Sequence, residues 1–304
     1  PKQSAQYALA ISNFDKSEED PKRYNFGFIA STDDHTARPG TGYKQYERRK
    51  MTFATGVKSK MWEYQYDAED PNFPEIPKIT PGESQPDSER VSSFVYPGGI
   101  LAVHAKGRGK DEIWAALKNK NVYGTSGPRI LLWFDLINSP QGQVPMGSEI
   151  TMSQNPKFIV KAAGSFKQNP GCSNESIDSL SPGRLEYLCA GECYNPSNER
   201  EVIERIEIIK ITPQIYAGEA VSPLIQDPWK SIPCQENGKC VIEFEDENFS
   251  RDSVYYVRAI QKPTPAINGS SLSQRDSFEL CKGSFRTDFN DNCLSMANER
   301  AWSS

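Results

Sequence analysis

The chain is poor in histidine and has no cysteine before residue 172. His35 and His104 are the only histidines among 304 residues. A metal site that needs a cluster of imidazoles therefore cannot be assembled from this sequence alone. The chain also has no apolar run that approaches the roughly 18 residues of a membrane-spanning helix, so we expect no membrane span.

The net charge of the chain argues against nucleic acid as a partner. The formal net charge is −5 at pH 7, whereas a surface that binds nucleic acid is normally basic, so we expect no nucleic-acid partner. Apolar residues make up 37% of the chain and charged residues 25%, with 22 prolines and 21 glycines. This composition is typical of a loop-rich globular protein, and the length leaves room for two domains of ordinary size.

The seven cysteines all lie in the second half of the chain and predict disulfides. They contain no CxxC pair and have no histidine among them, which argues against a zinc site. The nearest pairing options are Cys234 with Cys240, and Cys172 with either Cys189 or Cys193, although the sequence does not fix the connectivity. Because disulfides persist in oxidising compartments, we expect an extracytoplasmic protein, whether periplasmic, cell-surface or secreted. The remaining cysteines are Cys281 and Cys293.

The stretch with the strongest candidates for catalytic or metal-ligating residues is residues 26–43, FGFIASTDDHTARPGTGY. Its apolar start, Phe26 to Ala30, predicts a buried β-strand, and the strand is followed by Asp33, Asp34 and His35. Carboxylate and imidazole groups at the end of a buried strand are typical of catalytic sites in α/β proteins. An Asp-x-His pair also supplies two metal ligands that leave the chain on the same side.

The segments around this stretch predict α/β structure. We expect a helix over residues 3–14 and a strand over 26–31, then a long charged loop or lid over 44–93. A second apolar strand ends at His104 and precedes a helix in DEIWAALKNK, residues 111–120, with Ile113, Trp114, Ala116 and Leu117 on its buried face. The strand in NVYGTSGPRI completes a strand–helix–strand unit. One helix and one strand before the Asp-x-His pair cannot close a barrel, so we expect the C-terminal part of something larger.

From about residue 131 the pattern changes to short β-branched and aromatic runs, several of which alternate apolar and polar residues. This pattern predicts a β-sandwich of five to eight strands. The Cys-rich insertion 168–200 and the segment 261–294 are expected to be loops stapled by disulfides. The predicted domains are therefore residues 1–130, α/β, and residues 131–304, a disulfide-containing β-sandwich.

Three stretches carry a resemblance to a known family. The segments FGFIASTDDHTARPGTGY, GGILAVHAKGRGKDEIWAALKNKNVYGTSGPRILLWFDL and the closing ERAWSS resemble the C-terminal half of the family called domain of unknown function 3604. That family resembles the PHP (polymerase and histidinol phosphatase) superfamily of metal-dependent phosphoesterases. The resemblance implies the C-terminal portion of a PHP-like distorted α/β barrel, followed here by an immunoglobulin-like β-sandwich.

The resemblance also implies the chemistry. Asp33 and His35 correspond to an Asp-x-His pair whose two residues are metal ligands in that superfamily, and divalent Zn, Mn or Fe would be the cofactor. Two or more such metals would activate a water for attack on a phosphoester or another small-molecule substrate. The His-x-His strand that begins the family's barrel is absent from this chain. The missing N-terminal half is therefore expected to have been removed, to be a separate chain and partner, or to lie outside a partial sequence.

Two further residues have alternative interpretations. His104 is either a catalytic proton donor or further metal ligand, or a structural residue at the end of its strand. Arg38 either clamps a substrate anion or lies on the surface.

A second hypothesis comes from another class of function. In it, the chain is a secreted binding or structural module whose β-sandwich recognises a glycan or a protein partner. The contact candidates are aromatic residues of the predicted loops, Trp62, Tyr64, Tyr66 and Phe278.

Overall fold

The computed structural model describes residues 4–16, 21–30, 99–189, 194–235, 239–267 and 294–304. The helices are α1 (Ala5–Ala10), α2 (Lys110–Lys118), α3 (Asn174–Ser179) and α4 (Pro182–Cys189). The strands are β1 (Ser12–Asn13), β2 (Lys22–Arg23), β3 (Ile100–Val103), β4 (Val122–Thr125), β5 (Leu131–Ser139), β6 (Gly142–Pro145), β7 (Lys157–Ala163), β8 (Phe166–Pro170), β9 (Tyr194–Arg200), β10 (Ile203–Ile211), β11 (Ile225–Pro233), β12 (Lys239–Glu245), β13 (Val254–Gln261), β14 (Thr264–Ile267), β15 (Leu294–Ala297) and β16 (Arg300–Ser303).

Two antiparallel sheets form a β-sandwich, as the alternating runs predict. The six-stranded sheet has the order β11–β10–β13–β16–β4–β3, and the four-stranded sheet has the order β12–β7–β5–β6. Short two-stranded ribbons, β1–β2, β8–β9 and β14–β15, lie outside these sheets. Side chains from the inner faces of both sheets pack into one apolar core, because successive residues of a strand point to opposite faces. Its buried members include Tyr123, Leu132, Phe134, Phe158, Val160, Ile206, Ile208, Phe244, Val257 and Ala301.

The outer face of the six-stranded sheet carries a second, smaller core. Ile209 and Ile211 of β10 pack there against Leu9 and Ala10 of α1. Strand β10 is therefore buried on both faces, which explains why its sequence IERIEIIKI has more isoleucine than a half-exposed strand requires.

The predicted strand–helix–strand unit is present, but its strands are antiparallel neighbours. Strands β3 and β4 flank α2 in sequence and pair with each other, and β4 also pairs with the C-terminal strand β16. This unit therefore belongs to the larger sheet of the sandwich. Among the described residues both sheets are open and no barrel closes, so the PHP-like barrel has no support there. The domain boundary at 130/131 stays a prediction.

Two local predictions of the N-terminal part are wrong. The helix expected over 3–14 spans only Ala5–Ala10, because Ile11 is extended and the backbone N–H of Ser12 donates to the Gln214 side chain at 3.1 Å. Phe26–Ala30 is not a strand, and its Ile29 is 69% exposed. The run lies over the outer side of β4, where a Cβ on Gly124 would meet the Ala30 methyl group at 2.7 Å. Phe28 packs against the smaller core on this outer face, whereas Phe26 and Ile29 are exposed.

The helix expected over 111–120 is confirmed as α2, but its buried face is narrower than the apolar pattern predicts. Within α2, only Ala116 is buried, whereas Trp114 is 59% exposed and Ile113 is also exposed. Asp111 and Glu112 lie in the first turn and Lys118 in the last, so both ends complement the helix dipole as expected.

One of the predicted disulfides is confirmed. Cys234 and Cys240 are bonded, with their Cα atoms 5.4 Å apart, and this bridge joins the end of β11 in one sheet to the start of β12 in the other. Cys172 is also disulfide-bonded. The insertion expected as loops over 168–200 instead contains the β8–β9 ribbon and the short helices α3 and α4.

Candidate functional site

Of the residues predicted to carry chemistry, only His104 lies in the part of the chain that the structure describes. Asp33, His35 and Arg38, the loop 44–93 and the aromatic residues Trp62, Tyr64, Tyr66 and Phe278 lie outside the described residues. Their predicted roles stay predictions.

His104 follows β3 directly and links the two sheets of the sandwich. Its ring nitrogen Nε2 lies 2.8 Å from the carbonyl oxygen of Leu132 in β5, and its backbone N–H donates to the carbonyl of Asn121 at 2.9 Å. The imidazole also lies between two aromatic rings, with centroid distances of 5.3 Å to Tyr123 and 5.7 Å to Trp133. The fold thus holds this half-buried ring in one position.

The hydrogen bond to Leu132 shows which ring nitrogen of a neutral His104 carries the proton. A carbonyl oxygen only accepts, so Nε2 must carry the proton and donate to Leu132, which leaves the lone pair on Nδ1. Metal-ligating histidines commonly donate their second nitrogen to a backbone carbonyl in this way. The same bond also fits a structural residue that ties β3 to β5, so both interpretations of His104 stay open.

Tyr123, which packs beside His104, is held as a neutral phenol. Burial raises the pKa of its hydroxyl, and a backbone hydrogen bond with Leu132 offsets only part of this effect. The hydroxyl donates to the carbonyl oxygen of Ile130 at 3.1 Å. Tyr123 is therefore suited to orient its neighbours and not to act as a base near neutral pH.

A second polar cluster, Lys210, Asp246 and Tyr255, was not predicted from the sequence. The ammonium group of Lys210 forms a short ion pair with the buried Asp246 carboxylate, which also accepts from the Tyr255 hydroxyl and the backbone N–H of Asn248. Trp229 covers the cluster, with its ring centroid 5.3 Å from the Lys210 ammonium nitrogen. Because Lys210 and Tyr255 belong to one sheet and Asp246 follows β12 of the other, the cluster joins the two sheets.

The charge states of this cluster follow from its contacts. Burial alone would raise the pKa of Asp246, but hydrogen bonds from Lys210 and Tyr255 outweigh it and hold that pKa below its usual value. Burial, followed by the hydrogen bond to Asp246, raises the pKa of Tyr255 far above its usual value. The carboxylate is thus ionised and fully hydrogen-bonded, which suits a structural role.

The carboxyl group of Glu299 is buried at the junction of β4 and β16, with the residue only 3% exposed. Its oxygen accepts from the Ser126 hydroxyl, which in turn accepts from the backbone N–H of Arg300 at 2.9 Å. Burial raises the pKa of Glu299, and the contacts with Ser126 and Arg300 offset this only in part. The site therefore favours the protonated carboxyl group.

We expect Glu299→Gln to stabilise the protein at neutral pH. The pKa of Glu299 is higher in the folded state than in the unfolded chain, so the unfolded state loses this proton first as the pH rises, and stability falls. Glutamine removes that loss and can still accept from Ser126. The thermal midpoint of the variant should exceed that of the wild type at pH 7, and the gap should close near about pH 4. Glu247→Gln, on an exposed side chain, is the control. An equal difference in thermal midpoint between Glu299→Gln and the wild type at both pH values would contradict the prediction.

Two open clefts of the described surface are lined by residues other than His104. A polar cleft of about 440 Å³ lies beyond the C-terminal end of α2, between Lys118–Asn121 and residues 147–150. Asn25 borders it, because its side-chain amide accepts from Lys120 and donates to Glu149 at 2.7 Å. A second cleft of about 360 Å³ lies between β1 and Gln214.

The described residues alone do not form a metal centre. No group of three or more His, Cys, Asp or Glu side chains that could hold a metal occurs among them. The helices of this part are also too short and too polar for any to cross a membrane, in agreement with the sequence-based expectation for these residues.

The fold and sequence together define a protein with a disulfide-containing β-sandwich, preceded by a segment that carries an Asp-x-His pair. The profile of the family described as "Protein of unknown function (DUF3604)" matches residues 14–170. This match covers more than half of the chain, and the chain belongs to that family. No curated protein and no solved structure matches the chain.

Proposed function

We propose that the chain is part of a metal-dependent hydrolase that acts on phosphate esters, with Asp33 and His35 as metal ligands. The observation that supports this most directly is the Asp33-x-His35 pair itself, which lies inside the matched range 14–170. The resemblance of that family to PHP phosphoesterases is part of the proposal.

The side chains of Asp33 and His35 are suitable ligands for the proposed divalent metals. A carboxylate and an imidazole together are typical ligands for Zn, Mn and Fe. Catalytic sites normally use at least three protein ligands, and the described residues contain no such group. The further ligands would therefore come from outside the described residues or from a partner chain. When bound, such metals would lower the pKa of a bound water and polarise the phosphoryl oxygen.

The chain's own residues would bind and orient the substrate. Arg38 would bind the phosphate oxygens through its planar guanidinium group, which can make two parallel hydrogen bonds. His104, with its Nε2 proton held by Leu132, would offer Nδ1 as ligand or proton acceptor. Its oriented ring, between Tyr123 and Trp133, is compatible with either role.

We also propose that the sandwich is immunoglobulin-like. Strands β12, β7 and β5 pair in the order E–B–A of that fold, and β11, β10, β13 and β16 pair in the order C′–C–F–G. The Cys234–Cys240 bridge would then lie between strands C′ and E. Extracytoplasmic location, which this disulfide and the one at Cys172 support, is part of the same proposal.

Hydrolysis of p-nitrophenyl phosphate in the presence of Zn, Mn or Fe tests the proposed activity. We expect turnover that EDTA removes and that Asp33→Ala and His35→Ala each reduce by at least about a hundredfold, since metal-assisted catalysis depends on these ligands. Asp111→Ala removes an exposed carboxylate of α2 and should leave turnover unchanged. Turnover that survives both substitutions, or that EDTA does not affect, would contradict the proposal.

A further inference from the structure

The outer face of the four-stranded sheet presents an exposed aromatic ring beside polar side chains and half-buried apolar ones such as Ile159. Trp133, on the central strand β5, is 40% exposed. It is paired across the strands with Lys161 of β7, and Lys161 is paired with the exposed Val241 of β12. Directly opposed residues lie on the same face of a sheet, so these three side chains form one row across the face.

The neighbouring row supplies hydrogen-bonding groups. Asp135 lies two residues after Trp133 and therefore on the same face, about 7 Å along the strand. The side-chain amide of Gln143 donates to one carboxylate oxygen of Asp135 at 2.7 Å. This contact fixes both groups, and it leaves the second carboxylate oxygen, the amide oxygen and one amide proton able to bind a ligand.

The indole ring contacts His104, which also lies beside the core residue Tyr123. The His104 imidazole lies 5.7 Å from the Trp133 ring at an interplanar angle of 42°, and its own position is fixed by the hydrogen bond to Leu132. This contact restricts the indole ring on one side, and a ring that is restricted before binding loses less conformational freedom when it binds a ligand.

The charges of this face balance. Its outward-facing cations are Lys157, Lys161 and Lys239, and its outward-facing carboxylates are Asp135, Glu243 and Glu245. Lys157 and Glu245 form an ion pair at 3.3 Å. A face of this kind has no net attraction for a polyanion or a polycation and fits an uncharged, hydroxyl-rich ligand.

We propose that this face binds a neutral glycan, with Trp133 as the stacking platform and Asp135 and Gln143 as hydrogen-bonding partners. One face of a pyranose ring that carries axial C–H groups stacks on indole, while its equatorial hydroxyls lie at the rim, where Asp135 and Gln143 reach them. A protein partner fits less well, because stable interfaces bury about 800 Å² on each side around an apolar centre. Here Lys161 separates the two exposed apolar residues of the row. The proposal goes beyond the hydrolase function and does not depend on it.

Titration calorimetry of the full chain tests this proposal, with cellohexaose, mannohexaose and xylohexaose as neutral probes and a heparin hexasaccharide as the polyanion. EDTA is present throughout, so that metal-dependent binding does not contribute. We expect at least one neutral probe to bind, Trp133→Ala to weaken that binding roughly tenfold or more, and Trp133→Phe to weaken it less, since phenylalanine retains part of the stacking surface. Trp114→Ala removes a more exposed tryptophan of α2 and should leave the affinity unchanged.

Circular dichroism and the thermal midpoint of each variant show whether it folds. Asp135→Asn provides a second test that keeps Trp133, and it should weaken binding of the same probe. Binding of none of the neutral probes, binding of heparin alone, or equal affinities of the wild type and Trp133→Ala would overturn the proposal.

Discussion

Replacing Lys210 with methionine is expected to destabilise the protein by about 3–5 kcal/mol. The substitution leaves the Asp246 carboxylate buried without its cation, and breaking a buried ion pair in this way costs more than the intact pair contributes. Tyr255 and the backbone of Asn248 would remain as the hydrogen-bond donors to the carboxylate. Urea unfolding at pH 7, monitored by circular dichroism, measures the difference.

The neighbouring lysine provides a matched control. Lys230 also lies over Trp229, but its ammonium group donates to the backbone carbonyl of Glu245 at 2.8 Å instead of a buried carboxylate. We expect Lys230→Met to cost only about 1 kcal/mol. Equal losses in the two variants would contradict the role assigned to Asp246.

The same pair predicts a pH dependence with a defined sign. The folded-state pKa of Asp246 is lowered, so its contribution is complete above the pKa of the unfolded chain, about 4. This contribution is lost as the pH falls through the folded-state value. The difference between the wild type and Lys210→Met should therefore be largest near neutral pH and should shrink in acid.

Phe158→Ala is expected to destabilise the fold by about 3–5 kcal/mol. Phe158 lies on the inner face of β7. It stacks on Phe134 and Phe244, with centroid distances of 5.2 and 5.0 Å, and its ring is tilted against that of Tyr255 at 4.8 Å. Its removal leaves a cavity between two sheets that cannot collapse independently of each other. Chemical unfolding with an unchanged m-value would report this loss.

An exposed phenylalanine serves as the control for that measurement. Phe166 lies on the surface, where the guanidinium carbon of Arg200 is 3.8 Å from its ring centroid. Phe166→Ala should cost about 1 kcal/mol or less, since it removes a surface cation–π contact. If Phe158→Ala cost no more than this, the stacked cluster would not be the centre of the core.

The sandwich could be predicted because the alternation of buried and exposed residues is visible in the sequence of individual strands. In β7, Phe158, Val160 and Ala162 alternate with more exposed residues, as a strand with one buried face requires. Helix α2 was predictable from its charged ends. The run Phe26–Ala30 was misread because apolar composition alone does not distinguish a core strand from a segment that covers the outside of a sheet.

The contacts between the buried polar groups could not be predicted from local sequence patterns. Lys210 and Asp246 are 36 residues apart, and Ser126 and Glu299 are 173 apart. The packing of the two sheets against each other brings Lys210 to Asp246, and the pairing of β4 with β16 brings Ser126 to Glu299. The face around Trp133 depends likewise on the pairing of four strands, β6, β5, β7 and β12. Asp33 and His35, by contrast, are two residues apart in sequence, so the proposal that they bind a metal together rests on the sequence alone.

Metal content is the most direct test of the role assigned to Asp33 and His35. Elemental mass spectrometry on the chain, purified without added metal, should detect near-stoichiometric Zn, Mn or Fe. The metal should disappear in the Asp33→Ala, His35→Ala double variant and remain in Asp111→Ala. Metal that the double variant retains would contradict the assignment, and absence of metal from the wild type would contradict a metal site formed by this chain alone.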